Sequence, residues 1–202
     1  YNRLPSKNMK RTLIWKTFFS QSGSEIYEIS KNIGKFPDAI ITNKSLEEMD
    51  KINPDLLERC FDRFIFLPKK PSIEEYREAI RNVDVITLHG YLRIIPPEIC
   101  NRFKIYNGHP GLITKFPELK GKDPQAKVWY NHAERPYYQH GHVIHEVTAK
   151  VDDGRVVSEK EFYSKNIYSD FNGLDEYIKA LHVLAIENWV GFMRKTILNN
   201  KL

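Results

Sequence analysis

Between residues 13 and 109, short apolar runs rich in β-branched and aromatic residues alternate with stretches of helical periodicity, and that alternation leaves few folds open. Residues 13–19, 39–42, 64–67, 83–88 and 104–107 each read as a buried strand. After the first of them, Ile26, Ile29 and Ile33 recur on one helical face, and Gly34 stands where a left-handed C-cap is expected. Ser45 with Glu48, and Ser72 with Glu75, place capping boxes at two further helix starts. Pro97 opens a short helix through Cys100. Strand and helix in turn call for an α/β, Rossmann-like fold: a mostly parallel sheet with helices on both faces.

The second half follows another rule. Residues 110–124 are rich in Pro, Gly and Lys and read as a long loop, a kind that compact domains usually keep for function. A helix is expected over 124–131, strands over 141–151 and 155–162, and a closing helix over 174–195. Asp152-Asp153-Gly154 between the two strands reads as the turn of a β-hairpin. No repeat or linker divides the chain, so 11–202 is expected to be one domain after a tail over 1–10. The start is polar and basic, unlike a signal peptide. It opens on Tyr1 and not on Met, which leaves open whether the chain is a piece of a longer protein.

Composition narrows the partners. Hydrophobic residues at 41% and charged residues at 28% give a globular balance, not a disordered one. The longest apolar runs, such as 83–88, fall far short of the ~20 residues a membrane span needs. The net charge of +5 is spread without a dense basic arm, so neither nucleic acid nor a membrane is the expected partner. It reads either as a mildly basic surface or as an attraction for a small anionic ligand. Cys60 and Cys100 are isolated, as expected of a reducing, cytoplasmic compartment.

In an open parallel sheet, ligands bind beyond the carboxyl ends of the strands, where Gly23, Gly90 and residues 107–110 lie. Asn107 and His109 are two apart, so in extended chain they face the same way, an amide and an imidazole suited to polarising a carbonyl. Asn, Gly, His and Pro are also ordinary loop residues, and Asp152 precedes an Asp-Gly turn. Local chemistry leaves both readings open. His140, His142 and His145 invite a metal, but on a strand the first two share one face and the third takes the other, so no metal site is expected. Trp129, Tyr130, Tyr137 and Tyr138 read as packing or as a stacking surface for a base or pterin, and Trp189 and Phe192 as core.

Taken in order, four segments carry a resemblance: Asn107-Gly108-His109-Pro110-Gly111-Leu112-Ile113, Phe116-Pro117, Gly141-His142-Val143-Ile144-His145 and Val151-Asp152-Asp153-Gly154. Together they resemble the 10-formyltetrahydrofolate-dependent formyltransferases. Residues 83–95 resemble the strand leading to that family's folate loop, and Phe19-Ser20-Gln21-Ser22-Gly23-Ser24 its first strand and turn. The resemblance implies transfer of a formyl group from 10-formyltetrahydrofolate to the amine of a small anionic acceptor. Glycinamide ribonucleotide, in purine biosynthesis, is the first candidate; a nucleotide-linked amino sugar or another amine is the alternative.

The same resemblance implies roles. Asn107 donates a hydrogen bond to the developing oxyanion. His109, as imidazolium, stabilises the same charge. Asp152 pairs with His109, raises its pKa and orders a water. Leu92, Arg93, Ile94 and Ile95, with Thr148, Ala149, Lys150 and Val151, form the pterin pocket. Gln21, Ser22, Gly23, Ser24, Glu25 and Pro110 form the acceptor pocket. No metal is implied, and the enzyme is a monomer or homodimer. Two departures bear on the acceptor. Glu25 stands where the family's phosphate turn has an amide, and Val183 where its last helix has a ribose-binding acid, with Glu187 one turn on. Lys120 and Lys122 either meet an anionic acceptor or are solvated loop residues.

Overall fold

The computed structural model describes residues 13–198. All five runs of the first half form strands: β1 (Trp15–Phe19), β2 (Ala39–Thr42), β3 (Phe64–Phe66), β4 (Val85–Leu88) and β5 (Ile105–His109). They pair in parallel, and β6 (Gln139–Glu146) and β7 (Val156–Tyr163) add on antiparallel beyond β5. The order is β3-β2-β1-β4-β5-β6-β7. The winding therefore reverses between β1 and β4, which opens a crevice at their carboxyl ends. All of β2 and β4 is buried, which is why these runs are continuously apolar and do not alternate.

The helices are α1 (Ser24–Ile33), α2 (Pro54–Cys60), α3 (Ile73–Ala79), α4 (Pro97–Cys100), α5 (Pro124–Asn131), α6 (Ile167–Asp170) and α7 (Leu174–Met193). They cover both faces. On one, Ile29 of α1 and Ile186, Trp189 and Met193 of α7 pack on Trp15, Val85 and Ile144. On the other, Tyr76, Ala79 and Ile99 pack on Phe18, Ile41, Ile86 and Leu88. A third cluster ties α5 and the start of α7 to β6 through Val128, Tyr177, Leu181 and Val143. Among the described residues, no helix is long and apolar enough to cross a membrane. The tail over 1–10 and both ends of the expected domain lie outside the described residues.

Two local expectations change. Ser72 caps α3 as expected, its Oγ accepting from Glu75 N–H at 3.2 Å while the Glu75 carboxylate accepts from Ser72 N–H at 2.7 Å. After Ser45, however, the chain forms 3-10 turns over Leu46–Lys51. Pro54 disfavours helical backbone at Asn53, so a helix begun at Ser45 cannot run through. The α-helix starts afresh at Pro54, where Asn53 Oδ1 accepts from Leu56 N–H at 2.9 Å.

The β6–β7 hairpin forms, but not around a tight Asp-Gly turn. The strands part at Glu146 and Val156, and residues 147–155 make a longer connection. Val147 N–H still donates to Ile105 O at 2.8 Å, so the chain stays with β5 as it leaves β7. Glu146 N–H donates to Arg155 O at 2.9 Å and closes the base of this connection. Gly154 permits that closure, since a Cβ there would lie 1.8 Å from Glu146 O. Asp152 sits in the connection with left-handed backbone at φ 50.

Candidate active site

The site begins where β5 overruns its expected end and carries His109 in the strand. Alternation along β5 sends Tyr106 and Gly108 toward α7, where Tyr106 meets Phe192, and sends Asn107 and His109 to the opposite face. The register sets Asn107 opposite His145 of β6. Asn107 Nδ2 lies 3.4 Å from His145 Nε2. A register shift between Ile144 and His145 marks the end of regular β6 pairing, and the 147–155 connection then brings Asp152 back over both histidines. Asp152 Oδ2 is 3.3 Å from His109 Nδ1, and its Oδ1 is 3.3 Å from His145 Nε2. Gly121 N–H donates to Asp152 Oδ2 at 2.8 Å. The three residues expected to act together thus meet, and His145 joins them. Its signal was in the sequence, as the last His of Gly-His-Val-Ile-His, but its partner became clear only from the β5–β6 register.

The protonation states follow from these contacts. Burial pushes the Asp152 carboxyl up, but the hydrogen bond with His145, the charge of His109 and the Gly121 amide outweigh it and hold the group below its ordinary value. Asp152 is ionised. His109 departs from expectation. Burial lowers its pKa, and the attraction of Asp152 offsets only part of that, so the imidazole is neutral near pH 7. Its Nε2 meets Leu119 O at 2.8 Å, and its Nδ1 faces the Asp152 carboxylate, which can hold a proton arriving there.

Two cavities adjoin here, and Gly90 and Gly108 line both. The first, of about 490 Å³, is walled by Leu92, Arg93, Ile94, Ile95, Val147, Thr148, Lys150 and Val151, with Asn107, His109, His145 and Asp152 at its inner end. Seven of the eight residues expected in the pterin pocket line it; Ala149 is exposed and does not. Ser20 Oγ accepts from Leu92 N–H at 2.9 Å and so ties the 91–95 loop to the end of β1.

The second cavity, of about 440 Å³, is lined by Gln21, Ser22, Gly23, Ser24, Glu25 and Pro110, as expected, and by His89, Gln125, His142 and one side of α7. The α7 residues are Ile178, Leu181, His182 and Ala185. Val183, expected at the ribose position, is not among them; it is 59% exposed and lies off this cavity. Glu187 pairs with Lys160 on the surface, at 2.9 Å. The loop lysines do not reach this cavity either: Lys120 pairs with Asp153 at 2.7 Å, and Lys122 lines the first cavity.

The remaining histidines go separate ways. His140 Nδ1 meets Tyr177 OH at 2.9 Å, while Asn188 Nδ2 donates to His142 Nδ1 at 3.1 Å. Both contacts are to α7, on the side away from His145, as strand alternation required. Burial lowers the pKa of His140 and of His142 to about 4. Trp129 and Tyr137 pack into the β6 cluster and Trp189 into the core under α7, whereas Tyr130 and Tyr138 are exposed; none of the five lines either cavity.

Comparison with known proteins agrees with this geometry. Residues 40–168 match the family model described as formyl transferase. A phosphoribosylglycinamide formyltransferase of Haemophilus influenzae is 33% identical over 88 residues, which take in 43% of this chain and 38% of that protein. The chain thus spans well under half the length of that curated relative. The crystal structure of phosphoribosylglycinamide formyltransferase from Anaplasma phagocytophilum superposes with a TM-score of 0.75 at 17% identity, over 94% of this chain and 89% of that one. A formyltetrahydrofolate deformylase from Pseudomonas syringae gives 0.75 at 15% identity, over 96% of this chain and 64% of that one. At such identities the two structures speak for the fold.

Proposed function

The chain belongs to the formyl transferase family, and on that premise we propose that it moves a formyl group from 10-formyltetrahydrofolate to the amine of a small acceptor. One observation carries the reading. Asn107, His109 and Asp152 converge at the end of β5, at the inner end of one cavity that adjoins a second through Gly90 and Gly108. Adjoining cavities with donors and a carboxylate at their junction suit a two-substrate transfer, because each substrate is oriented before they react.

The first cavity suits the folate. Its size is in the range of small-molecule sites, and Leu92, Ile94, Val147 and Val151 offer apolar walls to a flat ring. When bound there, 10-formyltetrahydrofolate supplies the activated formyl group. Asn107 Nδ2 donates to the formyl oxygen. His109 contributes a second donor, its Nε2–H, once the Leu119 carbonyl yields it; a neutral imidazole polarises a carbonyl without a buried cation. Asp152, steadied by His145 and Gly121, accepts through a water the proton that the amine loses as its nitrogen bonds to the formyl carbon, and the same water returns a proton to the folate N10 as the C–N10 bond breaks. These roles call for no metal. We assign the reaction to the cytoplasm and to a monomer or homodimer.

The name of the curated relative points to glycinamide ribonucleotide as acceptor, and so to purine biosynthesis. A nucleotide-linked amino sugar is the second reading, favoured by Glu25, whose carboxylate lines the second cavity where a phosphate-binding turn would present donors. Absorbance at tetrahydrofolate release, with a panel of amines, tests the transfer. Asn107→Ala, His109→Ala and Asp152→Asn are each expected to lower turnover by ~10²-fold or more, the usual cost of losing one such group. Turnover indifferent to all three would sink the mechanism.

A further inference from the structure

Glu25 is held by a chain of hydrogen bonds. Trp15 Nε1–H donates to Thr87 Oγ1 at 2.8 Å. The Thr87 hydroxyl donates to Thr17 Oγ1 at 3.2 Å, and the Thr17 hydroxyl donates to Thr87 O at 3.1 Å. His89 Nε2 lies 2.9 Å from Thr87 Oγ1. His89 Nδ1 lies 2.6 Å from Glu25 Oε1. Burial pushes the Glu25 carboxyl up, but the His89 hydrogen bond and charge outweigh it, so the group stays ionised. An ionised carboxylate can only accept, so His89 Nδ1 carries a proton and donates to it. His89 is too enclosed to meet a substrate, its side chain being 1% exposed, whereas that of Glu25 is 24% exposed and faces the second cavity. What the cavity meets is Glu25 Oε2, an atom that can only accept.

The serine side chains of the turn offer an anion little, although His182 Nδ1 of α7 stands 4.0 Å from Glu25 Oε2. Ser22 Oγ and Ser24 Oγ are bonded to each other at 2.9 Å, and Asn53 Nδ2 donates to Ser24 Oγ at 3.3 Å. Two further donors are buried at the other end, behind Gly108, and of these only His142 lines the cavity. Trp189 Nε1 is buried without a partner. His142 accepts from Asn188 at Nδ1, so its proton is on Nε2. A Cβ on Gly108 would fall 2.7 Å from each of these two nitrogens, so both are aimed at the glycine that the two cavities share.

We propose that the Glu25–His89 pair is the specificity element of the acceptor cavity: it selects an acceptor that presents a hydroxyl or ammonium donor to the 21–25 turn and discriminates against one that presents a terminal phosphate. A phosphate monoester is mostly dianionic at neutral pH and so brings like charge and acceptor oxygens to Glu25 Oε2, whereas a hydroxylated ring brings a neutral donor. The inference rests on the reading of the second cavity as the acceptor site, and it favours the amino-sugar acceptor of that reading over glycinamide ribonucleotide, whose phosphate the turn would disfavour.

The test compares an aminohexose with the same aminohexose bearing a terminal phosphate, each assayed for tetrahydrofolate release, on wild type and on Glu25→Gln. The ratio of the two kcat/KM values is read, so any loss of folded enzyme cancels. Wild type should favour the unphosphorylated amine by about tenfold to a hundredfold, the span of one charged hydrogen bond, and Glu25→Gln should bring the ratio toward one. A wild-type preference for the phosphorylated amine, or a ratio that Glu25→Gln leaves unchanged, overturns the proposal and leaves formyl transfer standing. Calorimetric titration of the wild type with each sugar and with inorganic phosphate separates the two failures. Binding of the unphosphorylated sugar without any turnover defeats formyl transfer but supports the selectivity; inorganic phosphate that competes with the sugar defeats the selectivity.

Discussion

Replacing Asp152 by Asn isolates the charge at the centre of the site. Its carboxylate lies 3.3 Å from His109 Nδ1 and 3.3 Å from His145 Nε2. At an effective dielectric of ~20, unit charges at that distance attract by about 5 kcal/mol, which bounds the support an ionised Asp152 can give to a protonated His109 at roughly 3–4 pKa units. Burial already outweighs that support, since the pKa of His109 lies below its ordinary value with the carboxylate in place. An opposite charge raises an imidazole pKa, so removing it lowers the midpoint further. Asp152→Asn keeps shape and can still accept from Gly121 N–H, so the fold should hold. Side-chain nitrogen NMR of His109 against pH reads the midpoint, and kcat on the same samples should fall by ~10²-fold or more. A midpoint that rises or stays put would refute the electrostatic argument, whatever happens to the rate.

Other perturbations reach other parts of the account. Gly154→Ala drives a Cβ to within 1.8 Å of Glu146 O, so the 147–155 connection must shift; a loss of about 1–3 kcal/mol by urea unfolding, with a fall in kcat as Asp152 moves, is expected, and an unchanged kcat would argue against the connection as its support. His140 and His142 are held neutral by burial, with values of about 4. An unfolded histidine titrates near 6.5, so between about pH 6.5 and about 4 the unfolded chain takes up protons that the folded one refuses, and stability present above that window falls through it by up to about 3 kcal/mol per group. A urea midpoint flat across that range would contradict this. Val183 is exposed and off the cavity; Val183→Lys should leave kcat/KM within about twofold, as surface changes usually do, and a large loss would restore the ribose position to it.

Much of this architecture is legible in the sequence because its signals are local. Ile26, Ile29 and Ile33 on one face, the Ser72–Glu75 box and the apolar runs of β1, β2 and β4 all became the elements they suggested. Asn107 and His109 could be placed side by side from strand alternation alone. The misses, one apart, are non-local. Asn53-Pro54 was a readable helix start, overshadowed by the nearby Ser45–Glu48 pair. Asp152 looked like a turn residue because Asp-Gly favours tight hairpins, and only the Val147–Ile105 and Glu146–Arg155 hydrogen bonds reveal the longer connection. The neutral state of His109 depends on burial, which no motif encodes. The His89–Glu25 pair spans 64 positions, so neither residue announces the other.

The most direct test of formyl transfer follows the formyl carbon. Wild type, 10-formyltetrahydrofolate carrying a labelled formyl group and an amine acceptor are incubated, and the acceptor is analysed by mass spectrometry. The account predicts labelled formyl on the acceptor nitrogen, dependent on Asn107, His109 and Asp152. Label released as formate while the acceptor stays unmodified would contradict it.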